Sequence, residues 1–236
     1  TLSISNESCS APLTRLAIGP RNMAGQAFLI ATAVQTHFNI PTVSFALEKS
    51  IFGFPSHYPI SNEQWSSPFW QQSQQELLSS KFTHVLTESG TGIFGALNGG
   101  FIDEQMDALT QSGLKAAILF HGSEIRDPRR HRELPYSPYT VRDDLIKSLE
   151  TATSRLRQHL TALDLPFFVT TPDLLEDIPA TWLPVVVDVK LWEGLAPRPA
   201  KSIPTVFHLP SNNRLKGSAF VDKTLSKLQE EGLVHY

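Results

Sequence analysis

Three groups of residues able to do chemistry stand in this chain, each placed just after a short apolar run. The first is Gly19-Pro20-Arg21-Asn22-Met23-Ala24-Gly25, which follows the run 15–18 and leads through Gln26 into a helical pattern. A helix start offers free backbone N–H groups to an anion, and glycine lets a ligand approach the backbone closely. The second is His121-Gly122-Ser123-Glu124, with Arg126 just beyond, directly after the run 116–120. A histidine in that place also serves as an ordinary hydrogen-bonded structural residue. The third is Ser211-Asn212-Asn213-Arg214-Leu215-Lys216-Gly217, turn chemistry whose last pair sits where a helix would open.

The first loop can be read in more than one way. A dinucleotide fingerprint needs G-x-G-x-x-G there, and this loop has only Gly19 and Gly25, six residues apart. Glu48, ending the second apolar run, stands where that fingerprint's acid would stand, which is weak support by itself. Gly19 and Gly25 would equally serve only the turn and close helix–strand packing. A third reading has the loop face an acceptor substrate across an interdomain cleft. No H-E-x-x-H, G-x-S-x-G or G-x-x-x-x-G-K-[ST] motif occurs, which lowers metalloprotease, α/β-hydrolase and P-loop readings.

The elements that must position these groups alternate. Strands are predicted at 15–18, 42–47, 82–87, 116–120, 167–170 and 184–187, and helices at 24–38, 103–112 and 141–163. The run 116–120 is apolar throughout, as a strand covered on both faces should be. The rhythm predicts an α/β fold, a Rossmann-like doubly wound parallel sheet. In such sheets ligands bind beyond the carboxyl ends of the strands. The segments to weigh are therefore 19–26, 48–54, 88–95, 121–126, 170–172 and 210–217.

Composition fits a globular domain. The 236 residues are 41% hydrophobic and 18% charged, with a net charge of −3 that gives no reason to expect nucleic acid. The single cysteine, Cys9, excludes an internal disulfide and fits a reducing, cytoplasmic setting. No apolar run approaches the roughly 18 residues of a membrane span. The Asn6-Glu7-Ser8 sequon reads as chance in a polar leader, and a first residue of Thr1 rather than Met suggests a trimmed start.

Four segments, in order and spacing, resemble the retaining glycosyltransferases of GT-B fold: GPRNMAGQ at 19–26, HGSEIR at 121–126, LPVVVD at 183–188 and PSNNRLKG at 210–217. The likeness spans nearly all of 15–236. It implies a polar leader at 1–13, an acceptor-side Rossmann-like domain at 14–194, a linker at 195–203 and the first strand–helix unit of a donor domain at 204–236. It implies transfer of a sugar from a nucleotide-sugar donor, with retention, to a carbohydrate, lipid-linked or small-molecule acceptor, without metal or cofactor. His121 would be the catalytic-site residue facing the donor sugar. Lys216, Arg214 and Gly25 would bind the donor diphosphate. Gly19, Arg21, Asn22, Gln26, Glu124 and Arg126 would line the acceptor or donor-sugar cleft. The family's usual arginine five residues before the lysine is replaced here by Ser211. Either Arg214 substitutes, or the site uses one cation fewer. The family's acidic donor motif would fall beyond Tyr236, so the chain is expected to be an incomplete, inactive form with 204–236 short of sheet neighbours.

Two further features admit plain readings. Arg126, Arg129, Arg130, His131 and Arg132 form a basic cluster, read as a solvated loop or as a contact for an anionic acceptor or the inner membrane surface. The aromatic stretch 51–70 reads as a long connection packed on the sheet, or as a sugar or lipid platform. Rival functions are a non-catalytic α/β ligand-binding module and, further off, a dinucleotide-dependent oxidoreductase.

Overall fold

The computed structural model describes residues 13–48, 52–141, 143–194 and 202–236. Cys9, the sequon and most of the expected linker lie outside these residues. Contacts divide the chain into two units: Thr1–Arg126 with Thr153–Val187, and Asp127–Ala152 with Asp188–Tyr236.

The first unit is built on seven strands: β1 (Leu16–Ile18), β2 (Thr42–Leu47), β3 (Tyr58–Ile60), β4 (His84–Glu88), β5 (Lys115–Phe120), β6 (Phe167–Val169) and β7 (Thr181–Trp182). They form one sheet in the order β3-β2-β1-β4-β5-β6-β7, and every pairing is parallel. The chain winds outward from β1 in one direction and from β4 in the other, so β1 and β4 flank the switch point of the sheet. This is the Rossmann-like, doubly wound α/β fold.

Period-two alternation sends successive strand residues to opposite faces. Ala17, Phe45, Val85, Ile118, Phe120 and Val169 enter one buried cluster, with Leu78, Met106 and Leu109 from helices α3 (Pro68–Lys81) and α4 (Ile102–Gln111). Ile18, Leu86 and Leu119 enter a second cluster, with Ala27, Ile30 and Ala31 of α1 (Gln26–Phe38). The uninterrupted apolar run of β5 thus serves two cores at once.

Two expectations for the first unit need correction. The stretch 51–70 is not only a connection: it holds β3, the short helix α2 (Asn62–Ser66) and the start of α3. Ser61 and Gln64 form a reciprocal capping box for α2, and Ser67 caps α3 with Pro68 in its first turn. Trp65 and Trp70 pack on the core, whereas Phe69 is exposed. The last strand forms at Thr181–Trp182 rather than 184–187. Pro184 lacks an N–H, and the side-chain amide of Gln26 takes both backbone groups of Val186, at 2.7 and 3.1 Å.

The second unit contains α5 (Pro128–His131), the first turns of α6 (Asp144–Leu160) and α7 (Ser218–Glu230). The strand of the strand–helix unit expected at 204–236 is reduced to a parallel bridge between Thr205 and His235. Phe207 and Leu209 are 78% and 90% exposed, so their apolar surface is unburied by any described residue. Arg214 holds the turn before α7 in place through Asp143 (3.1 Å) and the carbonyls of Pro138 (2.6 Å) and Val141 (3.2 Å).

Candidate functional site

The carboxyl ends of β1, β4, β5 and β6 bring a polar cluster together in the first unit. β4 ends on Glu88, whose side chain is wholly buried. Its Oε2 accepts a hydrogen bond from the Met23 N–H at 2.9 Å, tying the loop after β1 to the end of β4. Its Oε1 lies 3.3 Å from Nε2 of His121, the residue after β5. That contact is not aligned as a hydrogen bond, and neither buried atom has another partner. The His121 backbone N–H donates to Glu124, and its carbonyl accepts from the Thr170 hydroxyl at 3.5 Å. The imidazole is thus fixed at its base by β5 and β6 and faced at its tip by β4.

The loop after β1 is built for close approach. A side chain at Gly19 would meet the Phe45 carbonyl oxygen at 2.1 Å, so the loop passes directly over β2. The Arg21 guanidinium donates to Thr91 at 3.3 Å, and burial lowers its pKa below the ordinary value. Asn22 donates to the Pro55 carbonyl at 2.8 Å. Gly25 is left-handed at φ 80°, and the ring of Phe54 fills the space before it. Ser89 also sits left-handed at φ 64° with its hydroxyl buried and unpartnered. A strained residue directly after the buried acid is the kind of backbone found at ligand sites.

The sequence-derived residues separate by role. His121, Glu124, Gly19, Arg21 and Asn22 gather around the switch point. Gln26 is spent on the Val186 backbone. Arg126 forms a 2.6 Å ion pair with Asp173. Burial raises the Asp173 pKa, but the hydrogen bonds and charge of Arg126, with further hydrogen bonding, outweigh it and hold the carboxyl below its usual range. In the second unit, Arg214 is engaged with Asp143. Lys216 is exposed and without an ion-pair partner among the described residues, one residue before the left-handed Gly217 that starts α7. Glu88 is the residue that sequence reasoning assigned no role. Its signal was an acid closing an apolar strand at the carboxyl edge.

Among the described residues no group of three or more His, Cys, Asp or Glu converges to hold a metal ion. Among them, too, no helix is long and apolar enough to cross a membrane. Neither a family description nor a curated protein matches the chain.

Proposed function

We propose that this chain is the acceptor-side half, with the opening of the donor-side half, of a retaining glycosyltransferase that uses a nucleotide sugar. The observation that carries the reading is the meeting of the glycine loop after β1 with Glu88 and His121 at the sheet's switch point, where doubly wound sheets take their ligands. Hydroxyl-rich ligands need donors and acceptors that are fixed in place yet unsatisfied by the protein. The His121 ring, held by its neighbours and 12% exposed, offers one, and the Ser89 hydroxyl next to Glu88 has no hydrogen-bond partner among the described residues. His121 contacts the sugar, and Lys216 at the start of α7 neutralises the leaving diphosphate as negative charge develops. Arg214 has no part in the chemistry on this reading, because its guanidinium is committed to Asp143 and two carbonyls. The acceptor is a carbohydrate, a lipid-linked sugar or a small hydroxylated molecule.

The test is a donor panel of nucleotide sugars offered to the full-length natural protein. Product mass identifies transfer, and the anomeric proton coupling of the product reports retention. Transfer is expected to fall by about 100-fold or more in Lys216→Ala, the range for a lost electrostatic donor. Absence of transfer from every nucleotide sugar, or unchanged kinetics and diphosphate affinity in Lys216→Ala, would overturn the reading.

A further inference from the structure

We infer that Glu88 positions His121 by fixing its ring as the Nε2–H tautomer, which leaves Nδ1 to accept a hydrogen bond from a hydroxyl-bearing ligand. The inference rests on the switch-point crevice being the ligand site. It adds to that reading the acid behind the histidine and the direction of the hydrogen bond the histidine offers.

Glu88 has two buried carboxylate oxygens to satisfy. Its carboxylate has acceptor capacity only, and one oxygen is already used by the Met23 N–H. The other oxygen is buried against His121 Nε2 with nothing else in reach, and Nε2 is buried in the same way. An Nε2 lone pair turned toward that oxygen would set two acceptors 3.3 Å apart out of contact with water. An Nε2–H satisfies both atoms at once. Poor alignment is common for hydrogen bonds at ligand sites, which tighten on binding. The neutral ring carries one proton, so Nδ1 is then the acceptor. Nδ1 has no protein partner among the described residues, and 12% of the His121 side chain remains exposed.

Glu88→Gln turns the same logic around without changing shape. The Met23 N–H still requires an acceptor, so the carboxamide oxygen must take the position of Oε2. The –NH2 group then faces His121 Nε2 and requires a lone pair there. The substitution is therefore expected to move the ring proton from Nε2 to Nδ1.

The experiment is two-bond 1H–15N correlation spectroscopy of the 236-residue chain labelled at histidine nitrogen. The ring is assigned through its backbone and observed above neutral pH without ligand. The expected result is the Nε2–H tautomer as the major form in the wild type and Nδ1–H in Glu88→Gln. A wild-type ring that is Nδ1–H or doubly protonated overturns the inference, whether or not the variant folds. So does a folded Glu88→Gln that keeps Nε2–H. None of these outcomes depends on sugar transfer, so failure here and failure of the glycosyltransferase reading are separable.

Discussion

Among the described residues the first unit contains two histidine–carboxylate pairs, and they are built differently. His159 Nδ1 meets Asp103 Oδ2 in an aligned bond of 3.0 Å, with both side chains a fifth to a quarter exposed. The Phe101 ring stacks on His159 at 4.8 Å, and Arg155 lies 5.3 Å over Phe101. Asp103 is in the first turn of α4 and His159 in the last turn of α6, where each complements its helix dipole. That pair joins two helices through one direct bond, although the second carboxylate oxygen, Asp103 Oδ1, is buried without a hydrogen-bond partner. His121 and Glu88 lie instead at the open end of the sheet, with facing atoms buried, close and misaligned. In the first pair the facing atoms are bonded to each other. On the proposed reading the second pair serves a ligand, through the part of the His121 ring that Glu88 does not face.

The largest effect should separate the pairs by function. His121→Ala is expected to reduce transfer by 100-fold or more, of order for a lost proton-handling or positioning side chain, while His159→Ala leaves transfer unchanged. Equal losses, measured as kcat/KM on the full-length protein, would dissolve the distinction. A second substitution attacks the loop that Glu88 holds. Gly19→Ala places a methyl 2.1 Å from a backbone oxygen, so the loop must move. We expect a loss of about 3 kcal/mol in denaturant unfolding, the upper range for overpacking, together with altered His121 but not His159 ring signals.

The third prediction concerns the structural pair. His159→Ala should cost about 1 kcal/mol of stability, the typical worth of a part-exposed hydrogen bond. A loss of several kcal/mol would place the pair in the core rather than on its rim. The smallest effect is at Arg126–Asp173. Because Asp173 is held below its unfolded pKa, the pair stabilises the fold above the ordinary carboxylate range, and that contribution disappears as pH falls through the lowered folded value. Arg126→Gln should lower Tm slightly at neutral pH, by less than about 1 kcal/mol equivalent, with the difference closing in acid. A difference that widens in acid would contradict the assignment.

How far the sequence revealed this follows from which interactions are local. β2 falls at 42–47 as expected, and β5 within one residue, because their apolar runs are uninterrupted and bounded by turn residues. The sheet class was legible from the alternation alone. The α2 and α3 starts were also written locally, in Ser61 with Gln64 and in Ser67-Pro68, but the aromatics around them obscure the period. The position of β7 was not legible, since it depends on Gln26 reaching Val186, 160 residues away. The candidate site divides the same way. His121 and the loop 19–25 could be found because each follows its own strand. The Glu88–His121 contact could not, because only the pairing of β4 with β5 sets those two strand ends side by side. Arg214 drew a diphosphate role only from the glycosyltransferase resemblance, and its bond to Asp143 was not legible, because that partner lies 71 residues away.

The most direct test of the switch-point site is a titration of the histidine-labelled chain with a sugar acceptor and with nucleotide sugars, following both rings in one spectrum. The account predicts that His121 ring nitrogens shift in a saturable way while those of His159 stay fixed. Ligand binding that moves His159, or any binding that leaves His121 unmoved, would contradict it.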